Sequence, residues 1–394
     1  MLAGIRTLDD LDVQGRRVFV RVDYNVPLEG GRVADDTRIR ASLPTLLDLA
    51  SRGARLVLAS HLGRPGGRRR AEDSLEPVAR RLAELLPAGE VVLAEDCIGD
   101  GARKVVADLR DGQVAMLENL RFHPGEEADD EGFARGLARL CDAYVNDAFG
   151  AAHRAHASVS ALPKMVRDRA AGRLLVRELE ALGRVRSDPA RPFVAVLGGA
   201  KVSDKIGVLE TLVARADVLL VGGAMANTFL RARGLCTGRS RVEEDRLPLA
   251  RSLLQRAAER GTTVVLPVDV VVAASPEATE GRVVPVESIG ADEMALDIGP
   301  ATLEAFTVHV ARAATVFWNG PMGVFERPPF AGGTLGLAQA IAACPGFTVV
   351  GGGESVAAVQ QAGLSGRFGH VSTGGGASLE LIEGRKLPGV EALR

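Results

Sequence analysis

Cysteine is scarce, with Cys97, Cys141, Cys236 and Cys344 the only four in 394 residues. Their wide spacing offers neither a disulfide framework nor a zinc cage and predicts buried free thiols in a reducing compartment. No uninterrupted apolar stretch of about eighteen residues occurs, and the opening segment MLAGIRTLDDLDVQGRR holds no run of signal-peptide length. These absences argue against a membrane span and predict a cytoplasmic protein. An excess of one charge is also lacking. Lys and Arg number 48 against 50 Asp and Glu, a formal net charge of −2, so nothing draws the whole chain to nucleic acid or anionic lipid, and any basic site must be local. Two common nucleotide grips are missing as well: there is no G-x-x-x-x-G-K-[ST], and the glycine runs do not spell G-x-G-x-x-G.

What is present is an alternation. Short apolar runs such as RRVFVRVDYN, ARLVLASHLG, QVAMLENLRF and DAYVNDAFG in the first half are separated by longer amphipathic segments. PFVAVLGGAK, DVLLVGGAMA, TTVVLPVDVVVA, ATVFWNGPMG and FTVVGGGES follow in the second. EPVARRLAELL and LPLARSLLQRAAER carry apolar residues at three- and four-residue intervals, which is helical spacing. The pattern is that of parallel strands buried on both faces and joined by helices, an α/β class. The length favours two lobes over one core. Residues 173–189, where a helical pattern ends in a Ser-Asp-Pro turn, form the best boundary.

Three glycine-rich runs, VLGGAKVSDKIGVLE, VVGGGESVAAVQQ and HVSTGGGASLELIEG, each pass from a strand through glycines into a helical segment. Glycine admits a ligand close to the backbone, and the following helix start offers unpaired N–H groups, so repetition at the strand ends of one sheet predicts phosphate binding. Lys201 and Lys205, four apart, would share a face of a helix opening after the first run. Glu354 could cap its helix or contact Mg²⁺ on a phosphate, and Glu326 could be a surface acid or a ribose ligand; spacing leaves both open. The first half instead sets Arg at or just after strand-like runs in RVDYNVP, DDTRIRASLPT, SHLGRPGG, ENLRFH and AHRAH, a vocabulary suited to a small polyanion. A nucleotide on one lobe and an anion on the other suggest phosphoryl transfer, which needs positioning and charge neutralisation. An acceptor oxygen already ionised at neutral pH needs no general base.

RVDYNVP, DDTRIRASLPT, SHLGRP, ENLRFH, NDAFGAAHRAHAS, VLGGAKVSDKI, VFWNGPMGVFE, GGGESVAA and HVSTGGGASLELIEG, in this order over nearly the whole chain, resemble the phosphoglycerate kinase family. The resemblance implies two lobes, each a doubly wound, mostly parallel sheet flanked by helices (Rossmann-like), joined by an interdomain helix and hinge. It places a 3-phosphoglycerate domain at 1–172, the interdomain helix and linker at 173–189, a nucleotide domain at 190–377, and a tail at about 378–394 packing back on the first domain. The implied reaction is reversible transfer from 1,3-bisphosphoglycerate to ADP, giving 3-phosphoglycerate and ATP, with Mg²⁺ and by lobe closure in a monomer.

Carried over by position, Asp23, Asn25, Arg38, His61, Leu62, Gly63, Arg64, Arg121 and Arg154 would hold the glycerate substrate. Lys205, Gly222, Gly223, Leu296, Glu326, Gly352, Gly353, Glu354 and Ser355 would hold the nucleotide, with Glu326 at the ribose, Gly222, Gly223 and Leu296 at the adenine and Glu354 at the metal. Arg38, Lys201 and the helix start at Gly374, Gly375 and Gly376 would neutralise the phosphoryl group in flight. The chain departs from the family where Glu354 replaces a usual Asp, where Ala224 and Asn227 replace Gly and an aromatic residue, and where Arg173 replaces an apolar one. A non-catalytic two-lobe anion binder and a dinucleotide-dependent dehydrogenase are the rival readings. His153 and His156, spaced as a metal pair, lack partners at ligand spacing and are expected to frame Arg154 as donors near the anion, charging more readily when it is bound.

Overall fold

The computed structural model describes residues 2–87 and 89–394. RVFVR forms β1 (Arg17–Arg21), with Val18, Phe19 and Val20 all fully buried, as a strand covered on both faces requires. Two-residue strands β2 (Leu28–Glu29) and β3 (Arg32–Val33) make a small antiparallel hairpin. The first large sheet adds β4 (Arg55–Ala59), β5 (Val92–Leu93), β6 (Val114–Met116), β7 (Ala143–Asn146) and β8 (Arg169–Ala171). Its order is β5-β6-β4-β1-β7-β8, and every pairing is parallel. Its core joins Val18, Val20, Leu56 and Leu58 of the strands to Leu46, Leu49, Val78 and Leu82 of the helices Thr37–Ser51 and Glu76–Leu85.

The second large sheet is built from β9 (Phe193–Leu197), β10 (Val218–Val221), β11 (Thr263–Val265), β15 (Thr315–Asn319), β16 (Phe347–Gly351) and β17 (His370–Val371). Its order is β11-β10-β9-β15-β16-β17, again all parallel. Numbered by appearance this is 3-2-1-4-5-6, which puts the topological switch point, and hence the ligand crevice, at the carboxyl ends of β9 and β15. A separate antiparallel sheet of β12 (Asp269–Ala273), β13 (Arg282–Pro285) and β14 (Met294–Ile298) stands beside it, ordered β13-β12-β14.

The run TTVVLPVDVVVA, one strand by its sequence, is therefore two strands of two sheets. Pro267 has no N–H to donate to a ladder. Just after it the Asp269 carboxylate accepts from Ala301 N (3.0 Å) and Thr302 N (2.7 Å), which pins the second half to the helix Pro300–Ala311.

The chain forms two compact units, Met1–Glu180 with Lys386–Arg394, and Ala181–Arg385. The helix Arg173–Ser187 carries the chain from the first to the second. The helix Gly375–Glu383 packs on Ile206–Val213 within the second unit. Among the described residues no helix is long and apolar enough to cross a membrane. All four cysteines are free, but only Cys97 and Cys141 are buried; Cys236 is exposed and Cys344 half-buried, so the expectation of four buried thiols holds for two.

Candidate active site

In the first unit the motif residues converge on the carboxyl ends of β1, β4, β6 and β7. Asp23 follows β1 and accepts from Arg38 Nη1 at 3.1 Å. Asn25 Oδ1 accepts from Gly63 N at 2.9 Å, and Arg121 Nη1 donates to Gly63 O at 2.7 Å, so two side chains fix the turn after β4. That turn needs glycine: Gly63 has φ +63°, and a Cβ there would lie 2.2 Å from Asp73 Oδ1. Leu62 is buried, whereas Arg64 is exposed. One motif is not at a strand end. Arg38 lies in the first turn of the helix Thr37–Ser51, which starts where Asp35 Oδ1 accepts from Thr37 N at 2.8 Å.

Arg21, which the sequence reading leaves out of the substrate set, is 1% exposed. Its Nε donates to Ser158 Oγ (2.8 Å) and its Nη2 meets His61 Nδ1 (3.2 Å), while the Ser158 hydroxyl passes on to Glu126 Oε1 (2.6 Å). Glu126 is fully buried, and burial raises its carboxyl despite the opposing charge of Arg21 and the bonds from Ser158. Asn119 is a second omission: its amide holds Leu62 O, Asp73 O and Arg121 N. Both residues stand inside the quoted motifs; only their burial tells them apart from ordinary polar positions.

Burial depresses the His61 imidazole well below its usual range, and Arg21, Arg121, Arg154 and His156 push it further. Burial with the charges of Arg121, Arg21, Arg154 and His153 lowers His156 to about 4. The wall is thus arginine charge lined by neutral imidazoles. His153 Nε2 accepts from Arg154 Nε at 3.2 Å, so this histidine orients the arginine as an acceptor. The one group of described side chains close enough to hold an ion is Asp96, Cys97 and His123; His123 Nε2 and Asp96 Oδ1 already bond each other at 2.6 Å, and the Cys97 thiol donates to Glu118 O.

In the second unit glycines end β9, β10, β15 and β16. Gly199 N donates to Pro321 O (2.9 Å), Gly223 N to Met322 O (3.1 Å) and Val324 N to Leu296 O (2.9 Å). The segment after β15 thereby joins the β9 turn, Gly222 and Gly223 and the β14 residue Leu296. A Cβ on Gly223, at φ +65°, would sit 2.6 Å from Gly199 N.

Lys205 crosses the switch point, its Nζ donating to Gly198 O (2.7 Å) and Asn319 O (3.1 Å); burial lowers it to about 8, against the charge of Glu354. Lys201 does not share its helix face. The α-helix begins only at Ile206, Lys205 ends a single 3₁₀ turn, and Lys201 stands exposed in the loop before it; Glu243 accepts from the Val202 and Ser203 N–H groups where that turn opens.

The helices Gly353–Gln361 and Gly375–Glu383 start side by side: a Cβ on Gly375 would lie 3.6 Å from Gly353 N. Gly352, at φ +93°, packs on Asn319. Ser355 is buried with Oγ accepting from Gly320 N at 2.5 Å, so it latches two strand ends together. Gly376, Glu354 and Glu326 are exposed, the last beyond Phe325 with nothing holding it among the residues above.

A sequence model of the family described as phosphoglycerate kinase matches residues 8–385. Curated phosphoglycerate kinases of Anaeromyxobacter dehalogenans (strain 2CP-C) and Thermomicrobium roseum are 58% and 59% identical over 393 and 391 residues, covering 99% of this chain and 99% of theirs. The solved phosphoglycerate kinase of Coxiella burnetii superposes with a TM-score of 0.89 at 39% identity, over 99% of this chain and 98% of that one. That of Pyrococcus horikoshii gives 0.84 at 35%, with the same coverage. With strand ends that carry arginines in one unit and glycine turns in the other, the chain belongs to the phosphoglycerate kinase family and is a phosphotransferase acting between a phosphoglycerate and a nucleotide.

Proposed function

We propose that the first unit takes 3-phosphoglycerate on Asp23, Asn25, Arg38, His61–Arg64, Arg121 and Arg154, and that the second takes the nucleotide on Lys205, Gly222, Gly223, Leu296, Glu326 and Gly352–Ser355. The observation that carries this reading is the adjacency of two helix N-termini beside the half-buried Lys205 ammonium. Unpaired N–H groups and helix dipoles converge there with a cation that needs an anion. Lys205 would trade its two carbonyls for phosphate oxygens. Leu296 and the bare backbone of Gly222 and Gly223 give the base an apolar slot.

The acceptor carboxylate of 3-phosphoglycerate is ionised at neutral pH and attacks without a base. Neutral His61 and His156 suit this, since neither needs to remove a proton. Arg38, Lys201 and the N–H groups at Gly375 and Gly376 would act on the charge that spreads over the moving phosphoryl group. Glu354 fits Mg²⁺: it is an exposed hard-oxygen donor in the first turn of the helix Gly353–Gln361. Bound there with the nucleotide, Mg²⁺ supplies charge neutralisation on its phosphates. Movement of one lobe on the other, in a cytoplasmic monomer, would bring the two substrates together.

The test is an assay that couples ATP-dependent consumption of 3-phosphoglycerate to a signal, run with the folded protein and Mg²⁺. Turnover is expected. Tight 3-phosphoglycerate binding with no turnover would return the chain to a non-catalytic anion binder.

A further inference from the structure

Lys201 sits in a loop, with no helix of its own to hold it. The chain just after it is held from a distant segment. Glu243 Oε2 accepts from Val202 N (2.5 Å) and Ser203 N (3.2 Å), and Oε1 accepts from the Ser203 hydroxyl. The backbone of Glu243 is fixed in turn, its N–H donating to Thr228 Oγ1 at 3.1 Å. Thr228 belongs to the helix Gly223–Ala232, whose Met225 N–H returns to Gly199 O at 3.0 Å. These bonds close a circuit that starts at Gly199, passes Lys201, and comes back to Gly199.

A carboxylate beside a phosphate-binding loop would repel the ligand if it faced it. Here both oxygens are spent on three donors. Burial works against the charge, but the Ser203 and Val202 bonds and nearby Arg246 hold the carboxyl below its ordinary range, so it stays ionised at neutral pH.

We propose that Glu243 is a positioning residue for Lys201, clamping the two residues that follow the lysine and, through Thr228, tying its placement to the helix that starts at the Gly222–Gly223 turn. This rests on the role given to Lys201 above. A lysine on a mobile loop reaches a developing charge only part of the time, whereas one whose neighbours are fixed at both N–H groups is pre-organised for it. A simple helix cap would stabilise the fold and leave the chemical step alone.

The experiment is a double-mutant cycle in the full chain with Lys201→Ala, Glu243→Gln and both, reading kcat, KM for 3-phosphoglycerate, and amide exchange at Val202 and Ser203. Glu243→Gln is expected to lower kcat about tenfold, to leave KM for 3-phosphoglycerate within about twofold, and to speed exchange at both amides. On top of Lys201→Ala it should cost less than about twofold more. Equal losses in both backgrounds, or an unchanged kcat in Glu243→Gln, would overturn the inference alone; an unchanged kcat in Lys201→Ala would overturn the role of the lysine and the inference with it. If Glu243→Gln does not fold, Thr228→Val, which frees the Glu243 backbone and keeps its carboxylate, goes through the same cycle with the same outcomes.

Discussion

At the scale of single residues, the turn after β4 is held from two other strand ends, by Asn25 after β1 and Arg121 after β6. Asp23, from the same motif as Asn25, pairs instead with Arg38. Arg21 stands in the same motif as Asp23, yet nothing in the letters says that it is buried with Ser158 and Glu126 behind it. Glu354 has one methylene more than the family's usual Asp. Its exposed side chain is unconstrained enough that Glu354→Asp should keep or improve the Mg²⁺-dependent rate; abolished activity would mean that the metal geometry has been rebuilt around glutamate.

The depressed His156 makes a second residue-level prediction. The unfolded chain takes a proton near pH 6.5 and the folded one only near 4, so the unfolded state binds more protons in between and stability is lost as pH falls through that window. His156→Gln should flatten this part of the curve, read as urea midpoints from pH 7 to pH 4.5. Parallel curves for the two proteins would show that the site does not hold this imidazole neutral.

At the scale of elements, the helix Arg173–Ser187 shows how burial and backbone set a boundary that periodicity only outlines. Its start is held by Asp147 at the end of β7, whose Oδ1 accepts from Leu174 N (2.9 Å) and Leu175 N (3.3 Å). Gly172 is required beside it, since a Cβ would lie 2.2 Å from that oxygen. Gly172→Ala should cost about 1–3 kcal/mol in chemical denaturation, the penalty of overpacking; a neutral result would mean that Asp147 moves aside freely.

Arg173, a cation at the unfavourable end of the dipole, is compensated by Asp48 (2.6 Å) and Asp9 (2.6 Å). Burial raises Asp147 to about 7. The folded state then holds a proton that the unfolded state releases near pH 3.8, and this contribution to stability is lost as pH rises toward 7. Asp147→Asn keeps the accepting oxygen and should lose less stability between pH 5 and 8 than the native chain, a comparison that equal losses would defeat. Lys201 and Lys205 show the limit of the sequence here: a spacing of four suggests a shared helix face, but Lys201 lies in a loop whose next two N–H groups are held by Glu243, some forty residues away.

At the scale of the molecule, two cores and alternating strands and helices could be read from the chain, and both sheets are there. The antiparallel sheet beside the second could not, because it hangs on Pro267 and on the anchoring of Asp269 rather than on any change in composition. The last nine residues, Lys386–Arg394, belong to the first unit. Leu387, Val390 and Leu393 are buried there, each stabilising by roughly 1.5–3 kcal/mol. Gly389 N donates to Ala152 O at 2.8 Å, two residues before Arg154. Deleting 386–394 should therefore abolish the thermal shift caused by 3-phosphoglycerate while sparing that caused by MgADP. An unchanged response to 3-phosphoglycerate would contradict that link.

The same return of the chain sets an order of events during synthesis. The second unit, Ala181–Arg385, is one continuous stretch and needs no segment from outside itself to close. The first unit, translated earlier, cannot take up Lys386–Arg394 until the stretch between has been made, a delay of roughly 10–40 s at 5–20 residues per second for about 200 residues. Through that interval the seats of Leu387, Val390 and Leu393 stand open. The bond from Asn146 Nδ2 to Gly389 O, which joins positions 243 apart, belongs to the last step. Synthesis of the other unit thus holds the first one open, and a chain cut before residue 386 would contain every residue of the second unit but lack a piece of the first.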